Sequence, residues 1–377
     1  MSWEKCTLAD IVTIKKGEYI TKKDAVSGKY PVILGGKEPA YYINQYNHVG
    51  KAIVISRSGA SAGYVSFWNE PIFITDGFLI EPKQNTTHKF LFYLLKSKQS
   101  ELSGIQRGAA IPHVTPSLIN SINVSLPDLH MQNRIASILS AYDDLIENNQ
   151  KQIKLLEEAA QRLYKEWFVD LRFPGWENTK IVDGVPEGWI SRKISNLGNV
   201  ITGKTPSTQN SSFYGKDIPF ITIPDMHNFV FPLYTEKKLS NEGANSQPTK
   251  YIPAGSLLIS CIATVGLTCI SCAHCQTNQQ INSIIPFQKN YLYYLYEFFS
   301  SKKEYLNNIG SSGATMINVN KSKIENIPVL LPSDYLLNSF HSNVQSIMDK
   351  ILILQNQFYS LKSMQDTTIK KIFYRGD

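Results

Sequence analysis

The sequence lacks any apolar run near the ~20 residues that would span a bilayer, so a membrane-embedded chain is not expected. Met1-Ser2-Trp3-Glu4-Lys5 opens without the apolar core of a signal peptide, and a cytoplasmic protein is expected. Cysteine is scarce: five residues, an odd number, in a chain expected to stay reduced, so a disulfide framework is excluded. Four of them crowd together (Cys261, Cys269, Cys272 and Cys275, with His274 beside them). Cys272 and Cys275 form one C-x2-C pair, but a four-ligand zinc site needs a second short-spaced pair, so no metal is expected. Catalytic signatures are missing as well. There is no G-x-S-x-G elbow, no H-E-x-x-H, no complete phosphate-binding loop, and no Asn/Asp-Pro-Pro-aromatic run of the kind that amino-methyltransferases use. Thr202-Gly203-Lys204-Thr205-Pro206 imitates the end of a phosphate-binding loop, but Pro206 stands where the following helix should begin. A non-catalytic protein with no cofactor of its own is expected.

What is present is a sequence written twice. Trp3 to Ile11 lines up with Trp189 to Leu197 at an offset of 186, continuing to Gly17 and Gly203. Tyr30-Pro31-Val32-Ile33 matches Ile218-Pro219-Phe220-Ile221 at 188, and Ile53 to Ser56 matches Leu257 to Ser260 at 204. About sixteen extra residues therefore lie within 222–256 of the second copy. Leu126-Pro127 then matches Leu331-Pro332.

Beyond those prolines both copies turn helical. Ile135, Leu139, Tyr142, Ile146, Ile153 and Leu156 recur at heptad spacing, and Phe340, Val344, Ile347, Ile351, Phe358 and Leu361 repeat them 205 residues on. The register predicts two stripes that face each other in an antiparallel coiled coil, with helices from about Pro127 to Trp167 and Ser333 to Phe373, each ~60 Å long. Asn149 takes a core position that Leu354 fills in the second copy, and a polar residue there fixes register.

The resulting expectation is an α+β chain. A globular target-recognition domain at 1–126 is followed by a spacer helix at 127–170, a second such domain at 171–332, and a second helix at 333–377. Short strands are expected near Val32–Leu34, Ala52–Ser56, Gly63–Phe67 and Phe73–Ile74. In the second copy they fall near Phe220–Ile223, Ser256–Ser260, Leu267–Ser271 and Asn282–Ile285, with helices at Lys89–Ser97 and Tyr291–Ser300.

Charge divides along the same lines. The overall +7 splits into +5 for 1–126, −3 for 127–170, +4 for 171–332 and +1 for 333–377. Basic globular parts suit a polyanion, and the acidic first helix suits a different partner. Double-stranded DNA contacts are expected from Lys15, Lys16, Lys37, Arg57, Ser58 and Arg107 in the first copy. In the second copy they are expected from Lys204, Thr205, Ser207, Thr264, Asn278 and Gln279. Arg57 opens the small-residue loop Ser58-Gly59-Ala60-Ser61-Ala62-Gly63, where it either meets guanine or phosphate or is simply solvated at a hairpin turn. The loops Gln106–Ala110 and Ser311–Thr315 either touch phosphate or orient the long helices.

Leu126-Pro127-Asp128-Leu129-His130-Met131-Gln132-Asn133-Arg134-Ile135, running on to Ile146, resembles the conserved helix start of the specificity subunits of Type I restriction-modification enzymes. Ala160 to Phe168 and Trp189 are similar to that family too, so the likeness spans the chain. The family's usual Glu-Gln pair is Met131-Gln132 here, and the second copy, Tyr335-Leu336-Leu337-Asn338, keeps neither residue. The resemblance implies that each domain reads half of a bipartite DNA site. It also implies that the helices dock two methyltransferase subunits carrying S-adenosylmethionine, with restriction subunits able to join. The rival reading is a coiled-coil scaffold that binds only proteins; a fused nuclease or methyltransferase fragment is a lesser one.

Overall fold

The structure is a computed structural model that describes residues 3–21, 23, 25–104, 113–311 and 317–374. The first copy runs β1 (Glu4–Thr7), α1 (Leu8–Ile11), β2 (Val12–Lys16), β3 (Ser27–Ile33), β4 (Tyr41–Ile43), β5 (Ala52–Ser56), β6 (Val65–Trp68), β7 (Phe73–Ile74) and β8 (Gly77–Pro82). Helices α2 (His88–Ser97), α3 (Gln99–Gly104) and α4 (Pro116–Asn120) follow, then β9 (Asn123–Leu126) and the long α5 (Leu129–Phe168). The second copy opens with the small hairpin β10 (Ile181–Val182) and β11 (Val185–Pro186). It continues with β12 (Ile190–Lys193), β13 (Gly198–Thr202), β14 (Tyr214–Ile221), β15 (Lys237–Leu239), α6 (Asn241–Asn245), β16 (Leu257–Ser260), β17 (Thr268–Ile270), β18 (Gln276–Thr277) and β19 (Ile281–Pro286). It closes with α7 (Tyr291–Ser300), α8 (Lys303–Gly310), α9 (Lys321–Glu325), β20 (Pro328–Leu331) and α10 (Asp334–Phe373). The fold is α+β, and α5 and α10 begin and end within two residues of the positions that the heptads predict.

The duplication holds hydrogen bond by hydrogen bond. Each copy has a four-stranded antiparallel sheet, β2-β8-β5-β6 in one and β13-β19-β16-β17 in the other. Each has a three-stranded sheet, β4-β3-β7 and β15-β14-β18, whose last pair is parallel. Each closes with a two-stranded ladder, Glu4 opposite Leu126 and Ile190 opposite Leu331, made by the opening strand and the strand before the long helix. Strands β2, β8 and β1 were not apparent from periodicity. β8 in particular is buried along most of its length, so it shows no alternation.

The register also locates the extra residues of the second copy. Tyr30 opposite Ile43 corresponds to Ile218 opposite Leu239, so the offset grows from 188 at β3 to 196 at β4. The bridge of His48 with Ile72 corresponds to that of Ile252 with Cys275, which raises the offset to 204. There are thus two inserts of equal length. One, within 222–236, packs Val230 and Phe231 into the core. Gln355 of α10 clamps its backbone, accepting from Phe231 N (3.2 Å) and donating to Phe231 O (3.4 Å). The other carries α6.

The chain forms two compact units, residues 1–146 with 360–377, and residues 147–359. Each long helix therefore contributes to both. In the second unit Tyr164 and Trp167 meet Phe340, and Asn149 Nδ2 reaches Gln357 Oε1 at 3.5 Å, so α5 and α10 run antiparallel. Ile153, Val344, Ile351 and Phe358 are buried there, Leu156 and Ile347 pack partly buried against them, and Asn149 and Leu354 are both buried as well. In the first unit Ile135 and Leu139 join the core with Ile369, Ile372 and Phe373. Gln365 Nε2 donates to Asp143 Oδ1 (2.7 Å), and Tyr142, Ile146 and Leu361 are half-buried.

Both long helices start in the same way after their prolines. Asp128 Oδ1 accepts from Met131 N (2.8 Å) and Ser333 Oγ accepts from Leu336 N (3.4 Å), capping orphan donors of the first turn. Among the described residues no helix is long and apolar enough to cross a membrane.

Candidate nucleic-acid interface

In each copy most of the described residues picked from sequence lie at one end of the four-stranded sheet. Antiparallel pairing fixes which end. Lys16 stands opposite Phe78, Ser56 opposite Gly77, and Ile55 opposite Val65. The close of β2, the start of β8 and the turn from β5 to β6 therefore lie side by side. Arg57 and Ser58 follow β5 directly. Lys37 is on the exposed loop after β3, which is tied to the same end by the Ser56 Oγ bond to Gly36 O (3.4 Å). Lys16 is exposed, whereas Lys15 pairs with Glu81 at 2.8 Å. Arg107 and the loop Gln106–Ala110 lie outside the described residues, as does most of Ser311–Thr315. Just past the first of these loops, Val114 N donates to Arg57 O (2.9 Å) and His113 bridges Ser58.

Arg57 is not simply solvated. Its Nε pairs with Asp76 Oδ1 at 2.7 Å, its backbone N donates to Asp76 O at 3.1 Å, and the hydroxyl of Ser58 donates to Asp76 Oδ2. Gly63, at φ 82°, closes the hairpin with an N–H to Ser56 O (2.8 Å).

The second copy builds the same end with other side chains. Gly203 N donates to Ile281 O (3.1 Å) and Lys204 N to Thr277 O (2.9 Å), which places Lys204 and Thr205 beside the start of β19. Thr205 Oγ1 donates to Gln279 Oε1 (2.7 Å), and Asn278 Nδ2 donates to Gln280 Oε1 (3.0 Å). Thr264 O accepts from the Ser260 hydroxyl in the turn after β16, and Ser207 is exposed a few residues beyond Lys204. Lys204 and Gln279 are exposed too. The imitation of a phosphate-binding loop has a packing cause. A Cβ on Gly203 would lie 2.2 Å from both Asn278 O and Thr277 Oγ1, so the glycine lets two backbones touch.

A cleft of about 840 Å³ in the first unit extends the basic surface from Lys37. Lys96 Nζ stands 4.4 Å from the centre of the Tyr64 ring, and Lys37 Nζ stands 5.7 Å from the same ring. Burial, with Lys362 and Lys37 nearby, pulls the Lys96 ammonium pKa below its ordinary value, while Asp143 opposes that shift. Sequence reasoning missed Lys96, Asp76 and His113. The first hides in an amphipathic helix, and an acid is not sought where DNA is expected.

The cysteines are separate thiols. Cys261, Cys269 and Cys275 are buried, and burial raises all three, Cys261 to about 11 and Cys275 to about 12. Among the described residues no group of three His, Cys, Asp or Glu side chains is placed to hold a metal ion.

Two copies of one α+β domain, one ending in an ionic cluster around Arg57 and the other in amides and hydroxyls beside Lys204, each followed by a helix of a matched pair, are the build of a protein that recognises DNA sequence. The family model described as Type I restriction modification DNA specificity domain matches residues 1–158 and 186–336, and the chain belongs to that family. It is 33% identical over 364 residues to the Type I restriction enzyme HindI specificity subunit of Haemophilus influenzae, covering 79% of each chain. It is 26% identical to the MjaIX specificity subunit of Methanocaldococcus jannaschii, covering 94% of this chain and 85% of that one. The crystal structure of a Type-I restriction-modification system S subunit from M. genitalium shares the fold, with a TM-score of 0.62 at 18% identity over 98% of this chain and 96% of that one.

Proposed function

We propose that each domain reads one half of a bipartite duplex target, and that the chain delivers two modification subunits, which carry S-adenosylmethionine, to adenines within it. The same assembly has room for restriction subunits to join, and the site of action is the cytoplasm. One observation carries this reading. The two sheet ends share a backbone scaffold yet present unlike side chains, an ion pair of Arg57 with Asp76 in one and the hydroxyl and amides of Thr205, Asn278 and Gln279 beside Lys204 in the other. A repeated scaffold with divergent tips is what two different half-sites require, whereas a purely structural scaffold has no use for the divergence. Lys16, Lys37 and Lys204 supply phosphate contacts, and Arg57, Ser58, Thr205, Ser207, Thr264, Asn278 and Gln279 serve bases or sugars. The acidic first helix, at −3 over 127–170, keeps away from phosphate and serves the protein partners.

The test is adenine methylation by the matching modification subunits with and without this chain. Methylation at one bipartite sequence only in its presence is the expected result. Sequence-specific methylation in its absence would sink the proposal. Alone, the chain should bind DNA modestly and with a steep dependence on salt.

A further inference from the structure

Among the described residues, Asp76 is the one carboxylate at the reading end of the first sheet that touches two of the candidate DNA contacts. It gives one oxygen to each: Oδ1 stands 2.7 Å from Arg57 Nε, and Oδ2 accepts the hydroxyl of Ser58. Its side chain is 17% exposed and that of Arg57 is 35% exposed, so the guanidinium is the more open partner. The contact uses Nε. The two terminal nitrogens, which bidentate recognition of a base edge needs, have no partner among the described residues.

The second copy repeats this framework without the ion pair. Arg57 N to Asp76 O (3.1 Å) becomes Cys261 N to Gln280 O (2.8 Å), and Val114 N to Arg57 O (2.9 Å) becomes Val319 N to Cys261 O (3.0 Å). The bridge of Ser58 with His113 becomes that of Ile262 with Asn318. Cys261 is buried, and its sulfur takes a hydrogen bond from Asn282 Nδ2 at 3.1 Å. Identical backbone bonds therefore carry a charged cassette in one copy and a neutral one in the other.

We propose that Asp76 is a positioning residue for base reading by Arg57, and that positions 57, 58, 76 and 113, with their counterparts 261, 262, 280 and 318, set the different specificities of the two domains. This rests on the reading of each domain as a DNA reader. Arginine has a long flexible stem, and ordering it on binding costs free energy. The close ion pair at Nε, without a directed N–H bond, tethers the guanidinium beside Asp76 before DNA arrives. Its terminal N–H groups then meet a base edge with two acceptors, as guanine presents in the major groove.

The experiment uses the complex with its modification subunits on a library of randomised targets, reading base preference separately in each half-site. Thermal unfolding runs alongside. Asp76→Asn is expected to relax preference about ten-fold at one or two base pairs of one half-site, with the other half-site and the melting temperature unchanged. Arg57→Met should relax the same positions, Asp76→Asn should add nothing in its background, and Asp76→Glu should restore part of the preference. Parental preference in Asp76→Asn, or additive effects of the two substitutions, would overturn the proposal while leaving the two-reader scheme intact. Changes spread over both half-sites would instead overturn the two-reader scheme. If Asp76→Asn does not fold, Arg57→Cys with Asp76→Gln transplants the pair that the second framework accommodates. Loss of the same preference is then expected, and retention overturns the proposal.

Discussion

At the scale of single residues, the second unit stores a cost that pH reveals. Glu297, on α7, is 3% exposed, and burial raises its carboxyl to about 8, with the Glu157 carboxylate adding to the rise. Glu157 itself is raised to about 7 by burial. A folded pKa above the unfolded one means that the folded state keeps a proton which the unfolded chain releases above the ordinary carboxylate range. Stability from this group is therefore greatest at acid pH, falls as pH rises toward 8, and levels off beyond. Glu297→Gln should remove that fall. Unfolding measured from pH 5 to pH 9 should show the variant gaining on the parent by about 2–4 kcal/mol at the alkaline end, with the two closest at pH 5. A difference that does not vary with pH would contradict the assignment. Gly203 makes a second residue-level case. Its absent Cβ leaves room for Thr277 and Asn278, so Gly203→Ala should cost about 1–3 kcal/mol in denaturant unfolding by forcing the strand ends apart. An unchanged midpoint would show that the ends have slack.

Single elements show why some of this could be read in advance and some could not. The long helices were legible because seven-residue spacing survives in both copies and their prolines mark the starts, leaving Asp128 and Ser333 as caps. The sheet ends were half legible. Lysines, arginine and small residues stood out, but Asp76 gains meaning only once pairing brings Gly77 opposite Ser56. The two inserts could not be separated in the sequence, because the strand between them is only three residues long and its partners lie on β14. The start of α5 held another unread feature. Gln132 is fully buried; its Nε2 donates to Asn85 O and Pro127 O (both 2.9 Å), and its Oε1 accepts from Thr87 N (3.0 Å). So the retained half of the family's Glu-Gln pair ties the long helix to the start of α2 within one unit. In the second copy the corresponding Leu337 is also fully buried, and the slot there is apolar. Gln132→Leu copies that residue without its surroundings. It strands three backbone groups and should destabilise the first unit by about 2–3 kcal/mol in chemical unfolding followed by hydrogen exchange at α2. Loss of protection confined to the second unit would refute the tie.

For the whole molecule, the arrangement of cores decides how the two readers can be exchanged. The first reading domain closes on itself through the ladder of Glu4 with Leu126, so a cut after residue 126 falls between β9 and α5 and breaks no strand pair. The domain is nevertheless not independent of the helices. Phe90 packs against Phe373 at 5.7 Å between ring centres, Trp3 meets Phe373 at 6.2 Å, and Ile135, Leu139, Ile369 and Ile372 share their core. Swapping residues 1–126 for the first domain of another family member therefore replaces half of a packed interface. With the donor's residues at positions 3, 90, 94 and 95 restored to this chain's Trp, Phe, Leu and Leu, the chimera should fold. Its complex should then methylate adenines in sites where one half-site follows the donor and the other is unchanged. Without that restoration, packing defects in the first unit should lower its stability by several kcal/mol while the surviving fraction shows the same hybrid specificity. Genome-wide mapping of methylated adenines distinguishes the outcomes. One altered half-site supports two independent readers on a shared pair of helices, and alteration of both would mean that the first domain does not read its half-site independently, which overturns the two-reader scheme.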